Sequence, residues 1–198
     1  MRNRKRGSAS MKRREGDVLK GLLAGVAGGL AAAWMMNQFQ SAWGELAEGV
    51  DRPHGAQSLQ QGSPEHGVGR ELQEEDSDEE QDDATERVAS AISTGVLDRE
   101  LTHNEKRRAG AAVHYAFGVT TGAAYGALAE VAPAVTAGAG LPFGTFVWAA
   151  ADEGLVPALG LSKSPAEYPL SIHAYALASH LIFGLTAEMV RRGVRGVI

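Results

Sequence analysis

Six side chains able to hold or pass a proton, or to anchor a hydrogen bond, lie within apolar stretches of this sequence: Asn37, His114, Asp152, Glu153, His173 and His180. Imidazoles and carboxylates within reach of one another share protons and shift each other's titration. Ionisable groups are costly inside lipid, so they turn toward a helix-bundle interior and mark function. The chemistry these types allow is a proton- or cation-responsive site. His114, Asp152 and His173 would also suit a metal by ligand type, but no local spacing motif selects one. His173 and His180 share a helix face, but seven residues place them about 10 Å apart, too far for a single haem iron. The sequence has no Ser-His-Asp order, phosphate-cradling glycine loop or HExxH helix. The expectation is a protein that is not an enzyme and needs neither cofactor nor metal.

Four apolar stretches must position these groups: Val18–Trp43, Ala109–Val131, Ala137–Leu161 and Ser171–Val190. Crossing about 30 Å of hydrocarbon takes roughly 20 mostly apolar residues, and each stretch reaches that length. The mean hydropathy of -0.17 averages these stretches with two very polar regions. Arg2 to Arg14 carries seven basic residues, and Glu71 to Glu86 carries ten acidic ones, within a chain of net charge -5. Beside an apolar span, the basic arm reads as a cytoplasmic topology signal rather than a nucleic-acid grip. Arg13-Arg14 is followed by Glu15-Gly16-Asp17, not by the apolar residues of an export signal, so the first stretch is expected to be an uncleaved anchor. The chain has no cysteine, which excludes disulfides and thiolate ligands.

The expected architecture is an all-α membrane protein with four transmembrane helices. Residues 1–17 read as a disordered basic cytoplasmic tail, with Asp17 as an N-cap, and 18–43 as the first span. Residues 44–83 form an acidic linker too poor in apolar groups to fold alone. Within 84–108, Val88, Ile92, Val96 and Leu97 recur at helical spacing, giving a short amphipathic helix that either lies on the membrane surface or packs on the bundle. Residues 109–198 hold three further spans and a short basic tail. Short connections make these helices antiparallel neighbours, and four spans put both termini in the cytoplasm. Lys106-Arg107-Arg108 disagrees, since it then falls outside. A three-span topology is the alternative.

Small residues recur every fourth position: Gly21, Gly25 and Gly29; Gly118, Gly122 and Gly126; Gly140 and Gly144. Such ridges let membrane helices approach closely. The same ridges run into Asn37, His114, Glu130 and Asp152. At 1.5 Å per residue, Asn37, His114, Asp152, Glu153 and His173 reach one outer layer, while His180 sits near mid-depth. Glu130 and Glu188 fall near the cytoplasmic edge and are expected to bond between helices and fix packing.

The phrases GLLAGVAGGLAAAWMMNQF, VHYAFGVTTGAAYGALAE, PFGTFVWAAADEGLVPALGL and HAYALASHLIFGLTAEMVRR together resemble the YagU-like family of bacterial inner-membrane proteins. The resemblance spans the four apolar stretches and the approach to the second. It implies a multi-pass inner-membrane protein with a link to acid tolerance, and it carries no set of functional residues. The expected partners are the lipid bilayer and further membrane subunits, either copies of this chain or a complex. The competing class is a small proton-coupled transporter or channel subunit.

Overall fold

The computed structural model describes residues 2–47 and 82–198, and every regular element among them is helical. Helix α1 runs Arg2–Ala47. The expected start at Asp17 is therefore wrong: the helix passes straight through it, and Asp17 bonds Arg195 instead of capping. Lys, Arg and Met are good helix formers, and nothing in Arg2–Asp17 breaks the helix. At its other end α1 continues past Trp43 through Gly44–Ala47, so the first four residues assigned to the linker are helical. The acidic linker otherwise lies outside the described residues up to Asp82.

Helix α2, Ala84–Ile92, starts on a capping box. The Asp83 carboxylate accepts from the Thr85 and Glu86 amides at 2.8 and 2.9 Å, and Glu86 accepts from the Asp83 amide at 3.1 Å. It widens into a π-helical turn at Ser93–Leu97 and stops at Asp98, whose φ of 50° is left-handed. Helix α3, His103–Val131, repeats the device: Glu105 accepts from the Thr102 amide at 3.0 Å and its hydroxyl at 2.9 Å. Pro133 follows its end, and a 3₁₀ segment, Pro133–Gly140, turns the chain. Gly138, Ala139 and Gly140 there adopt φ of 69°, 55° and 85°. Glycine suits that region without strain, and the reversal breaks the third apolar stretch before Leu141. Helix α4, Leu141–Ala150, runs into a π-helical turn, Ala151–Leu155, and one last α-turn, Val156–Ala158. Helix α5 spans Leu170–Arg195.

The glycine ridges pair as two antiparallel seams. Gly21, Gly25 and Gly29 of α1 meet Gly126, Gly122 and Gly118 of α3, in that reversed order. A Cβ at Gly122 would fall 2.6 Å from the Gly29 Cα, and one at Gly126 would fall 2.8 Å from the Gly25 Cα. No side chain fits there. Gly140 and Gly144 pack in the same way on Gly184 and the His180 backbone of α5. Gly184 was not singled out in the sequence, nor was Gly28, which abuts Ala187. Between the seams, Ala32, Ala33, Met36, Phe183 and Ala187 form the core, flanked by Tyr115 and Phe143.

Outside the seams the surface is apolar: Leu19, Leu23 and Trp34 of α1, Phe146 and Leu155 of α4, and Met189 of α5 are exposed. Three helical segments, Asp17–Trp43, Pro133–Ala158 and Leu170–Arg195, are long and apolar enough to cross a membrane. Helix α3 is not among them. Its composition is the reason: Ala, Gly and Thr give tight packing but little hydropathy.

Candidate functional site

The π-helical turn at the end of α4 decides how the two adjacent carboxylates point. The Val156 amide reaches back five residues to the Ala151 carbonyl, and this wider turn reduces the angle between successive side chains. On a regular helix Asp152 and Glu153 would diverge by about 100°. Here both turn to α5: Glu153 Oε1 lies 2.6 Å from His173 Nδ1, and Asp152 Oδ2 lies 3.6 Å from His180 Nδ1. Asp152 is 3% exposed. Glu153 is only partly buried.

His173 is held from both sides. Its Nε2 is 3.0 Å from the Pro165 carbonyl, an acceptor only, so Nε2 carries a proton. Nδ1 lies 2.6 Å from a Glu153 carboxylate oxygen, so only a ring protonated at both nitrogens donates to both acceptors, one proton more than an ionised carboxylate beside a neutral ring. Tyr168 stands edge-on to the same ring at 6.5 Å. His180 differs: its Nδ1 donates to the Ala176 carbonyl at 2.9 Å, leaving Asp152 as an electrostatic neighbour beyond bonding distance.

The remaining predicted residues gather less closely. Asn37 Nδ2 donates to the Tyr115 hydroxyl at 3.3 Å, linking α1 to α3, and joins no carboxylate. His114 stacks edge-on against Tyr115 at 5.7 Å, faces the Ala33 backbone, and is within electrostatic reach of His180. Its Nε2 is buried with no hydrogen-bond partner among the described residues. The expected single outer layer is thus replaced by two carboxylate–histidine pairs between α4 and α5, with His114 approaching from α3. His180 joins the group through Asp152. Among the described residues no three His, Asp or Glu side chains are arranged to hold a metal, so the His114, Asp152 and His173 combination does not form.

At the opposite end, Glu188 is 1% exposed and accepts from Arg191 at 2.7 and 2.9 Å and from Arg192 at 2.5 Å. The Tyr125 hydroxyl faces it, with the Tyr125 ring stacked on Phe143 at 4.1 Å and under the Arg191 guanidinium. Arg195 bridges Glu130 of α3, at 2.7 and 3.3 Å, to Asp17 of α1 at 3.3 Å. These residues tie α1, α3 and α5 together, the packing role expected of Glu130 and Glu188.

Sequence reasoning missed Arg87. It lies on α2, is 1% exposed, and donates to the Leu161 carbonyl at 2.5 Å. Burial pulls its guanidinium down from the usual arginine range, against the raising effect of Asp82, Tyr168, Asp83 and Glu86. Glu86 beside it is pushed up by burial. The available signal was the set of small residues Ala84, Ala89, Ser90 and Ser93, which are buried along with it.

No curated protein and no solved structure matches the chain. Residues 91–189 match a family described as a protein of unknown function, DUF1440. That segment contains His114, Asp152, Glu153, His173 and His180, together with α3, α4 and most of α5. Because the match extends over half of the 198 residues and takes in both carboxylate–histidine pairs, the chain belongs to the DUF1440 family.

Proposed function

We propose that this is a YagU-like, four-span protein of the bacterial inner membrane, with both termini cytoplasmic, acting in envelope or acid-stress physiology without catalysing a reaction. The observation that carries the reading is the Glu153–His173–Pro165 arrangement, which is complete only while the pair holds its extra proton. Loss of that proton sets a ring lone pair against a carboxylate and loosens the connection between α4 and α5. The pair then registers acidity as a change in a loop. The place of α3 as a fourth span is supported by its continuous seam with α1, from Glu130 beside Gly21 to Gly118 beside Gly29.

The test is acid survival of cells lacking the native copy and supplied with the wild-type or Glu153→Gln protein at equal membrane abundance. Wild type should restore survival and the variant should not. Equal rescue by both sinks the acid-response reading. Reporters at Ser8 and after Ile198 should read cytoplasmic, and one near Gly62 external.

A second reading, a proton-coupled transporter or channel subunit, is favoured by one observation: the His114 Nε2, buried with no hydrogen-bond partner among the described residues, on a ring within electrostatic reach of His180. Its mark is acid-driven proton flux into liposomes that His114→Ala abolishes.

A further inference from the structure

Helix α2 is inside out. Arg87, Ser90 and Ser93 face the bundle and are buried, while Ile92, Val96 and Leu97 point away from it at 53, 75 and 67% exposure. A helix on a water-facing surface does the reverse. The buried side is committed: Gly110 of α3 abuts Glu86, and Arg87 reaches the Leu161 carbonyl beyond α4. The apolar edge is left with no cover among the described residues.

Its position says what covers it. Helix α2 sits at the end of the bundle where α1 finishes and α5 begins, the end that carries Phe39, Trp43 and Tyr175 as a cluster with ring centroids 5.7 to 6.1 Å apart. Aromatic residues of this kind mark the level of the lipid headgroups. The apolar edge of α2 lies at the same end, continuous with a bundle surface already lined by exposed leucines and aromatics. Arg107 and Arg108, exposed on the first turns of α3 at the same end of the bundle, carry charge suited to phosphate. The stretch between Ala47 and Asp82 offers only Val50, Leu59, Val68 and Leu72 as large aliphatic residues amid acidic ones, so it makes a poor cover.

We propose that Ile92, Val96 and Leu97 form a foot that dips into the headgroup layer of the bilayer, with Arg107 and Arg108 on lipid phosphates. This rests on the membrane-spanning reading. It also accounts for Lys106-Arg107-Arg108 on the outer side, where a topology signal alone would not place it: Lys106 pairs with Asp82 at 3.1 Å, and the two arginines serve the lipid.

The absence of cysteine in the chain makes the test clean. The full-length protein carrying a single nitroxide label at Val96→Cys, Leu97→Cys, Glu100→Cys or Phe146→Cys is reconstituted in phosphatidylethanolamine–phosphatidylglycerol vesicles. Collisions with dissolved oxygen, which enters lipid, are compared with those of a water-soluble nickel chelate. Labels at Val96 and Leu97 should favour oxygen several-fold, as should Phe146 on the outer face of α4, while Glu100 favours nickel. Nickel-accessible labels at Val96 and Leu97 with a lipid-exposed Phe146 overturn the foot and leave the spans intact. Nickel access at Phe146 as well overturns the membrane reading itself. Labels at Val96 and Leu97 shielded from both reagents also overturn the proposal, and point to a second protein chain on this edge.

Discussion

Glu153 and His173, twenty residues apart in sequence, meet at 2.6 Å where the π-helical turn after α4 packs on α5. The ring's second nitrogen is already committed to the Pro165 carbonyl. Glu153→Gln should therefore change the protonation of His173 without unfolding the bundle, because the glutamine amide can donate to Nδ1 and satisfy a neutral ring. Nitrogen NMR of labelled histidine should show a doubly protonated or proton-shared ring in wild type and a neutral Nε2–H ring in the variant. Identical spectra at one pH would remove the shared proton from the account.

The glycine seam predicts a strong asymmetry between two substitutions. Gly122→Leu places a branched side chain where even a Cβ would lie 2.6 Å from the Gly29 Cα, and overpacking of this kind costs about 1–3 kcal/mol or more. Leu185→Ala trims a side chain on the exposed surface of α5 and should stay within about 0.5 kcal/mol. Thermal unfolding in a single detergent separates them. Similar mild shifts for both would show that α1 and α3 do not meet along this line.

Glu188 compensates Arg191 in a buried setting. Glu188→Ala should destabilise by about 3–5 kcal/mol, the usual cost of stranding one buried partner. Replacing Glu188 and Arg191 together with methionine should recover most of that loss. A double variant no more stable than Glu188→Ala would mean that Arg192, Tyr125 and the surrounding packing, rather than the stranded charge, set the cost.

The start of α3 should loosen in acid. Glu105 is held at a pKa of about 2, first by the Thr102 amide and then by the Arg99 guanidinium and the Thr102 hydroxyl. A depressed carboxylate stabilises the folded state fully above its unfolded value of 4.5, and the contribution disappears as pH falls from there toward 2. Amide exchange at His103–Lys106 should accelerate over that window. In Glu105→Gln it should be faster throughout and lack the acid-dependent step. A window absent from wild type would show that the cap does not govern this turn.

The features legible in the sequence were those that depend on period alone. Gly25, Gly29, Gly118 and Gly122 announce a close seam because only a missing side chain permits it, and the structure puts those glycines opposite one another. The grouping of His173 with Glu153 followed from depth. What could not be read was anything that departs from regular helix geometry. The π-helical turn leaves no periodic trace, so the choice of His180 rather than His114 or His173 as the neighbour of Asp152 was hidden. Helix α2 shows a different limit: its period was legible, but the sequence left open whether its apolar face lies on the membrane surface or on the bundle. Val88, Ile92, Val96 and Leu97 define a face, but periodicity does not say whether that face turns inward or outward. Arg87 settles the matter only once the Leu161 carbonyl is in place.

That clasp also imposes an order on biosynthesis. Arg87 precedes by 74 residues the carbonyl to which it donates, so this contact forms only after α4 and the loop that follows it have been made. An arginine cannot be buried cheaply without such an acceptor. The glycine seam of α1 and α3, by contrast, needs no residue beyond Gly126, so the two contacts draw on chain made at different times.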